Sequence, residues 1–325
     1  MHVPRELPIP LADPGPTAYL ARMKTPDRLR PLLLGGLVDE VVRPLMSGKE
    51  ASVYIVRTAT GLCCAKVYKE AEQRSFHHRA LYQEGRVAQD SRSARAMQKS
   101  TAFGRQEQER AWQAAEVEAL RRLADAGVRV PRPLAFAHGV LLMELVVDAQ
   151  GDPAPRLVNV SLDEAGASRV HASLIRDVVT MLCAGIVHGD LSEYNVLLAA
   201  DGPVIIDLPQ HVDSALNNNA RRLFARDVEH LAAYLGRFAP QLRTTDYAGE
   251  IWDLYQQGRL HPETPLTGTF QRREGDSDVA AVLDVIDEAR AEAAWRLGLD
   301  QVEGHAIKPS RRAGRSSRRQ QSRWS

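Results

Sequence analysis

Apolar and polar positions divide the chain into a strand-rich first part and a helix-rich second part. Ala51-Ser-Val-Tyr-Ile-Val-Arg is β-branched and alternating, residues 58–61 can turn, and Leu62-Cys-Cys-Ala-Lys-Val-Tyr returns; together they predict a β-hairpin. Helical spacing over residues 112–126 puts Val117, Leu120 and Leu123 on one stripe, which Gly127 closes. Val140-Leu-Leu-Met-Glu-Leu-Val-Val predicts a short buried strand, and residues 161–184 a helix begun near Asp163 and closed at Gly185. Val204-Ile-Ile-Asp predicts another strand, and from Arg222 the spacing is helical almost to Gly298, broken at Pro262 and Pro265. Residues 1–45 are proline-rich, with one short helix expected within 23–37 and ending at Gly35-Gly36. Residues 86–110, rich in Arg, Ser and Gln, predict a surface loop leading into a helix. Strands first and helices later, with the change near residues 145–150, predict an α+β protein of two lobes.

Composition narrows the class. At 325 residues, 44% apolar and 26% charged, the chain suits a soluble globular protein of one large or two medium domains. Cys63, Cys64 and Cys183 form no paired framework or zinc spacing, which fits a reducing compartment. No signal peptide is expected, and the most apolar stretch, residues 139–147, is far short of the ~20 residues of a membrane helix. A cytoplasmic protein with no membrane partner is expected. The formal charge of +1 conceals a division: residues 308–325 carry seven basic side chains and no acid, leaving 35 bases against 41 acids elsewhere. A ribosomal or RNA partner is therefore confined to that tail, whose plainer reading is a solubilising extension.

Four polar elements interrupt apolar segments. Ser47-Gly-Lys-Glu-Ala-Ser is a small turn whose backbone N–H groups, with Lys49, could meet an anion; alone it could equally be an ordinary turn. Lys66, in mid-strand, needs an anionic partner such as Glu116 or Glu118 if it is buried, and none if it snorkels. His188-Gly-Asp190-Leu-Ser-Glu-Tyr-Asn195 has the H-x-D-x-x-x-x-N spacing of phosphoryl-transfer enzymes, in which Asp accepts a hydroxyl proton and Asn binds a hard cation. There His188 would be structural. Asp207, at a strand end, could join Asn195 in a Mg²⁺ site or merely cap a turn. Counting the helix glutamate with them, the order glycine turn, strand lysine, helix glutamate, Asp-to-Asn loop and strand-end Asp favours the chemical reading.

At these residues the sequence resembles the protein kinase-like fold and, more narrowly, the RIO family of atypical serine kinases. The resemblance rests on Ser47-Gly-Lys-Glu-Ala-Ser-Val-Tyr, Ala65-Lys66-Val-Tyr-Lys, Leu142-Met-Glu-Leu, Val187-His-Gly-Asp-Leu-Ser-Glu-Tyr-Asn-Val-Leu and Ile205-Ile-Asp-Leu-Pro-Gln, within about residues 40–240. It implies an N-lobe at about 41–145 and a C-lobe at about 146–300, flanked by an extension (1–40) and a basic tail (301–325). It also implies ATP and Mg²⁺, or Mn²⁺, as cofactors. Lys66, paired with Glu116, would contact the α/β-phosphates; Ser47, Gly48 and Lys49 would cover them; Met143, Glu144 and Leu145 would hold adenine. Asp190 would be the catalytic Asp, and Asn195 and Asp207 the metal ligands. The resemblance implies serine phosphorylation, of the protein itself or of another, or an ATPase that phosphorylates its own Asp207. Gly189 stands where many members have alanine, and His-Gly-Asp is also usual in aminoglycoside and choline kinases, so a small-molecule kinase is the rival enzyme. A nucleotide-gated ribosome-assembly factor is the rival of another class. The short proline-rich ends, without a winged helix, look like a bacterial member.

Overall fold

β-Branched residues at alternate positions build the first lobe. In the computed structural model, which describes residues 25–48, 50–69 and 102–271, strands β1 (Glu40–Ser47), β2 (Ala51–Thr58), β3 (Gly61–Tyr68), β4 (Pro133–Ala137) and β5 (Val140–Glu144) form an antiparallel sheet ordered β1-β2-β3-β5-β4. The expected hairpin is β2–β3, in unbroken register from Ala51↔Tyr68 to Thr58↔Gly61. β4 and β5 are joined by His138-Gly139, both at positive φ, a turn whose twist matches that of the strands. Lys49, residues 86–101, the helical spacing beyond 271 and the basic tail lie outside the described residues.

Two-residue periodicity decides what the sheet presents to each side. On β3, Cys63, Ala65 and Val67 face an outer core with Leu29, Leu32, Val38, Val56, Val140 and Leu142. Leu29 and Leu32 come from a 3₁₀ turn (Asp27–Leu29) running into α1 (Arg30–Leu34), which ends at Gly35 as expected. The segment before Glu40 thus supplies part of this core. Cys64, Lys66 and Tyr68 alternate with those residues and face the other way, where Tyr68 joins the larger core shared with the helices. A slip of one residue would bury Lys66 in hydrocarbon.

The helical lobe follows from stripes at helical spacing. α2 (Ala102–Asp125) closes near Gly127 at φ +85, and α3 (Glu164–Cys183) is capped by Asp163, which accepts the Gly166 N–H at 2.7 Å. Short strands β6 (Ile186–Val187) and β9 (Val212–Asp213) pair, as do β7 (Val196–Ala199) and β8 (Gly202–Ile205). α4 (Ala220–Leu235) and α5 (Tyr247–Gln256) complete the lobe. Here the expectation of near-continuous helix from Arg222 needs correction. α4 stops at Gly236, Pro240 opens a 3₁₀ turn, and residues 259–271 are irregular apart from a turn, because proline removes the N–H that a helix needs. The molecule is an α+β fold of two lobes, a five-stranded antiparallel sheet followed by a mostly helical part, as expected.

One buried carboxyl in this frame makes a stability prediction. Asp177 on α3 accepts the Arg129 N–H at 3.4 Å through one oxygen, while the other has no partner. Burial pushes its carboxyl up to about 6, the Arg129 N–H and charge opposing only in part. An acid with a raised folded pKa costs stability as pH rises from its unfolded value near 4 to about 6. Asp177→Asn is therefore expected to raise the unfolding free energy at pH 7.5 by on the order of 2–3 kcal/mol, with little change at pH 4. Denaturant melts at the two pH values check this; an equal effect at both would show that charge is not the cause.

Candidate active site

β3 brings its central lysine under the sheet, and α2 brings a glutamate to meet it. Lys66, 7% exposed, donates to Glu116 Oε1 at 2.6 Å and to Asp207 Oδ1 at 2.8 Å. Glu116 is 1% exposed, and its second oxygen accepts the Tyr68 hydroxyl at 2.8 Å. Tyr68 packs edge-on against Trp112, whose indole N–H reaches the Pro209 carbonyl at 3.2 Å. Sheet, helix and the segment after Asp207 are thus joined through one cluster. Burial works against the Lys66 ammonium, but Asp207 and Glu116 hold it charged, well above the ordinary lysine value. Desolvation likewise opposes the Asp207 carboxylate, yet Lys66, with His188 and Arg156, keeps its carboxyl below the usual range.

The Asp190 loop is fixed from several directions. In the neutral ring His188 Nδ1 accepts the Asp190 N–H at 3.3 Å, so Nε2 carries the proton and donates to the Ile206 carbonyl at 3.1 Å. His188 is 2% exposed and ties the loop to the strand before Asp207, as a structural residue. Asn195 Nδ2 donates to the Asp190 carbonyl at 2.9 Å, which turns the amide nitrogen, not the oxygen, to that loop. The Ile206 N–H bonds the Asn195 carbonyl at 2.9 Å, extending the β7–β8 ladder so that Asn195 and Asp207 stand at the same end of it. Asp207 itself is held at φ +67, an unfavourable backbone for a non-glycine residue and of the kind found at functional sites. Gly189 has φ +81, where alanine would cost roughly 1–2 kcal/mol, which accounts for glycine before Asp190.

Some contributors escape the sequence motifs. Asp227 on α4, 2% exposed, accepts the Gly189 N–H at 2.7 Å and the Leu191 N–H at 2.9 Å, clamping both sides of Asp190. It falls on the buried stripe of Leu223, Phe224, Val228 and Leu231, and an acid on such a stripe is a signal that sequence can supply. Arg226 donates to the Gly189 carbonyl, and Gln210 Nε2 lies 3.4 Å from Asp190 Oδ2. Burial and the Asp207 charge raise the Asp190 carboxyl against His188 and Arg226, burial being the larger cause. At the turn expected to cover the phosphates, Gly48 N–H bonds the Ala51 carbonyl at 2.9 Å, Ser47 and Ser52 hydroxyls meet at 3.1 Å, and Lys69 Nζ reaches the Gly48 carbonyl at 2.6 Å.

The expected adenine segment closes β5. Met143 packs against the core shared with the helices. Glu144 gives its N–H to the Arg132 carbonyl at 2.9 Å and accepts the Arg132 N–H at 3.3 Å, so its amide and carboxylate are turned to the β4 side. Any base contact from Glu144 falls to its carbonyl, with partly buried Leu145 following.

Comparison with known proteins agrees with the arrangement. A family model described as the RIO domain matches residues 52–248. The chain is 33% identical over 208 residues to the RIO-type serine/threonine-protein kinase Rio1 of Haloferax volcanii, covering 63% of this chain and 67% of that protein. It is 27% identical over 217 residues to a probable serine/threonine-protein kinase RIO1 homolog of Encephalitozoon cuniculi, covering 59% and 53%. It is 32% identical over 188 residues to serine/threonine-protein kinase RIO1 of Homo sapiens, covering 56% and 31%. The match thus spans about two thirds of the first relative, half of the second and a third of the last.

Proposed function

This chain belongs to the RIO domain family, and from that premise we propose that it is an ATP- and magnesium-dependent serine kinase acting on itself or on another protein. The observation that carries the reading is the convergence of Lys66, Glu116 and Asp207 within hydrogen-bond distance, beside a loop that presents Asp190 and Asn195. The donors suit a hard cation: one carboxylate and one amide oxygen, with no cluster of three or more His, Cys, Asp or Glu among the described residues. Mg²⁺ favours such sparse protein ligation, its other positions going to phosphate and water. Asn195 and Asp207 would hold it, and bound there it would neutralise charge on the phosphates.

The residues of the chain supply the rest. Lys66, kept charged by its two carboxylates, would bind the nucleotide phosphates and stabilise charge as the terminal group transfers. Asp190, raised toward working pH by burial, would orient the serine hydroxyl and take its proton. Met143 would pack on adenine, with Glu144 and Leu145 supplying backbone.

A second reading has its own support. The Asp207 side chain is 43% exposed although one oxygen is bound to Lys66, so the other is open to accept a phosphoryl group. Incubation with γ-labelled ATP and Mg²⁺ followed by mapping separates the two. Acid-stable label on serine is expected for the kinase; hydroxylamine-labile label confined to Asp207 would make the protein an ATP-driven switch. Absence of both label and ATP turnover would remove both readings.

A further inference from the structure

Arg156 reaches from the helical lobe to β1, where its partner does not match its chemistry. Its Nη2 donates to the Met46 thioether at 2.7 Å, and among the described residues it makes no ion pair. A thioether is a weak, uncharged acceptor, whereas a guanidinium presents five donors suited to oxyanions. Met46 lies on β1, two residues before Gly48 and paired with Val53, so the contact carries a helical-lobe cation to the base of the 47–51 turn.

The backbone beneath Arg156 is fixed. Arg156 bridges Leu197 on β7, the Leu198 N–H bonds the Pro155 carbonyl at 2.8 Å, and the Tyr234 hydroxyl bonds the Leu157 carbonyl at 3.0 Å. β7 is the strand that begins directly after Asn195, so Arg156 is mounted on the platform that carries a proposed metal ligand. Its charge also reaches Asp207, whose carboxyl it helps to keep low.

Charge balance indicates what it awaits. The central groups Lys66, Glu116, Asp207 and Asp190 are one ammonium against three carboxylates, and a Mg²⁺ held by Asn195 and Asp207 would bring that count only to neutrality, leaving the charge of a polyphosphate without a further cation. Arg226 is engaged with the Gly189 carbonyl. We propose that Arg156 is a specificity-determining ligand for the terminal phosphoryl group, exchanging the Met46 sulfur for phosphate oxygens when a triphosphate enters beneath the turn. The inference rests on the nucleotide reading of this cleft and adds to it a residue that distinguishes triphosphate from shorter nucleotides.

The test is equilibrium titration of the full chain and its Arg156→Gln and Met46→Leu variants with MgATP, MgADP and AMP. Loss of a charge-assisted, two-point contact predicts weakening of MgATP by about tenfold or more in Arg156→Gln, less for MgADP, and no change for AMP. Met46→Leu is expected to bind MgATP within about twofold of wild type, since its sulfur is only a resting partner. Undiminished MgATP binding by Arg156→Gln overturns the inference alone, as does equal weakening of all three nucleotides or an equal loss in Met46→Leu. A wild-type chain that binds no MgATP overturns the inference and the nucleotide reading together.

Discussion

Asp190→Asn is expected to lower phosphoryl transfer by about 10²–10⁴-fold while leaving MgATP affinity within about twofold, because a positioned base contributes that much to rate and little to ground-state binding. The substitution is nearly isosteric. Asp190 is held by its backbone, through the Asp227 clamp on Gly189 and Leu191 and through the Asn195 amide on its carbonyl, and these bonds survive in the variant. What is lost is a carboxylate that can accept a proton. The wild-type rate is also expected to fall on the acid side at a pH above the ordinary aspartate range, since burial raises this carboxyl. The variant should lack that limb. Transfer within tenfold of wild type, with the limb retained, would mean that another group takes the proton.

How much of this could be read from the sequence depended on how local each signal was. The β2–β3 hairpin and Lys66 were legible because alternation, turn and interruption all lie within residues 51–68. β1 was not, because it is an exposed edge strand with Pro44 and two register shifts, features that erase alternation. β6 and β9 have two residues each, too few to form a pattern. Lys66, Asp190, Asn195 and Asp207 stand in motifs, but their convergence is a property of the fold. Asp227 is not legible as a clamp, because helical spacing alone does not say that an acid on the buried stripe bonds backbone N–H groups 36 and 38 residues away. Arg156 left no local signal at all, since its partner, Met46, is 110 residues earlier.

Lys66→Met is expected to abolish transfer and also to destabilise the fold, and the two losses can be separated. Removing the ammonium leaves Glu116, 1% exposed, with the Tyr68 hydroxyl as its remaining hydrogen bond and no paired cation among the described residues. Breaking one side of a buried ion pair costs about 3–5 kcal/mol, which for a domain of this size lowers Tm by roughly 6–20 °C. Glu116→Gln in the same chain removes the stranded charge and keeps the Tyr68 acceptor. The double variant should therefore recover most of the lost stability in a melt, as replacement of both ions by neutral groups commonly does. Its transfer activity should stay at least about 10²-fold below wild type, because no cation then meets the developing phosphate charge. If activity returned along with Tm, Lys66 would be a packing element whose charge serves only Glu116. If the double variant melted as low as Lys66→Met, the cost would lie instead with Asp207, which loses the same ammonium at 2.8 Å.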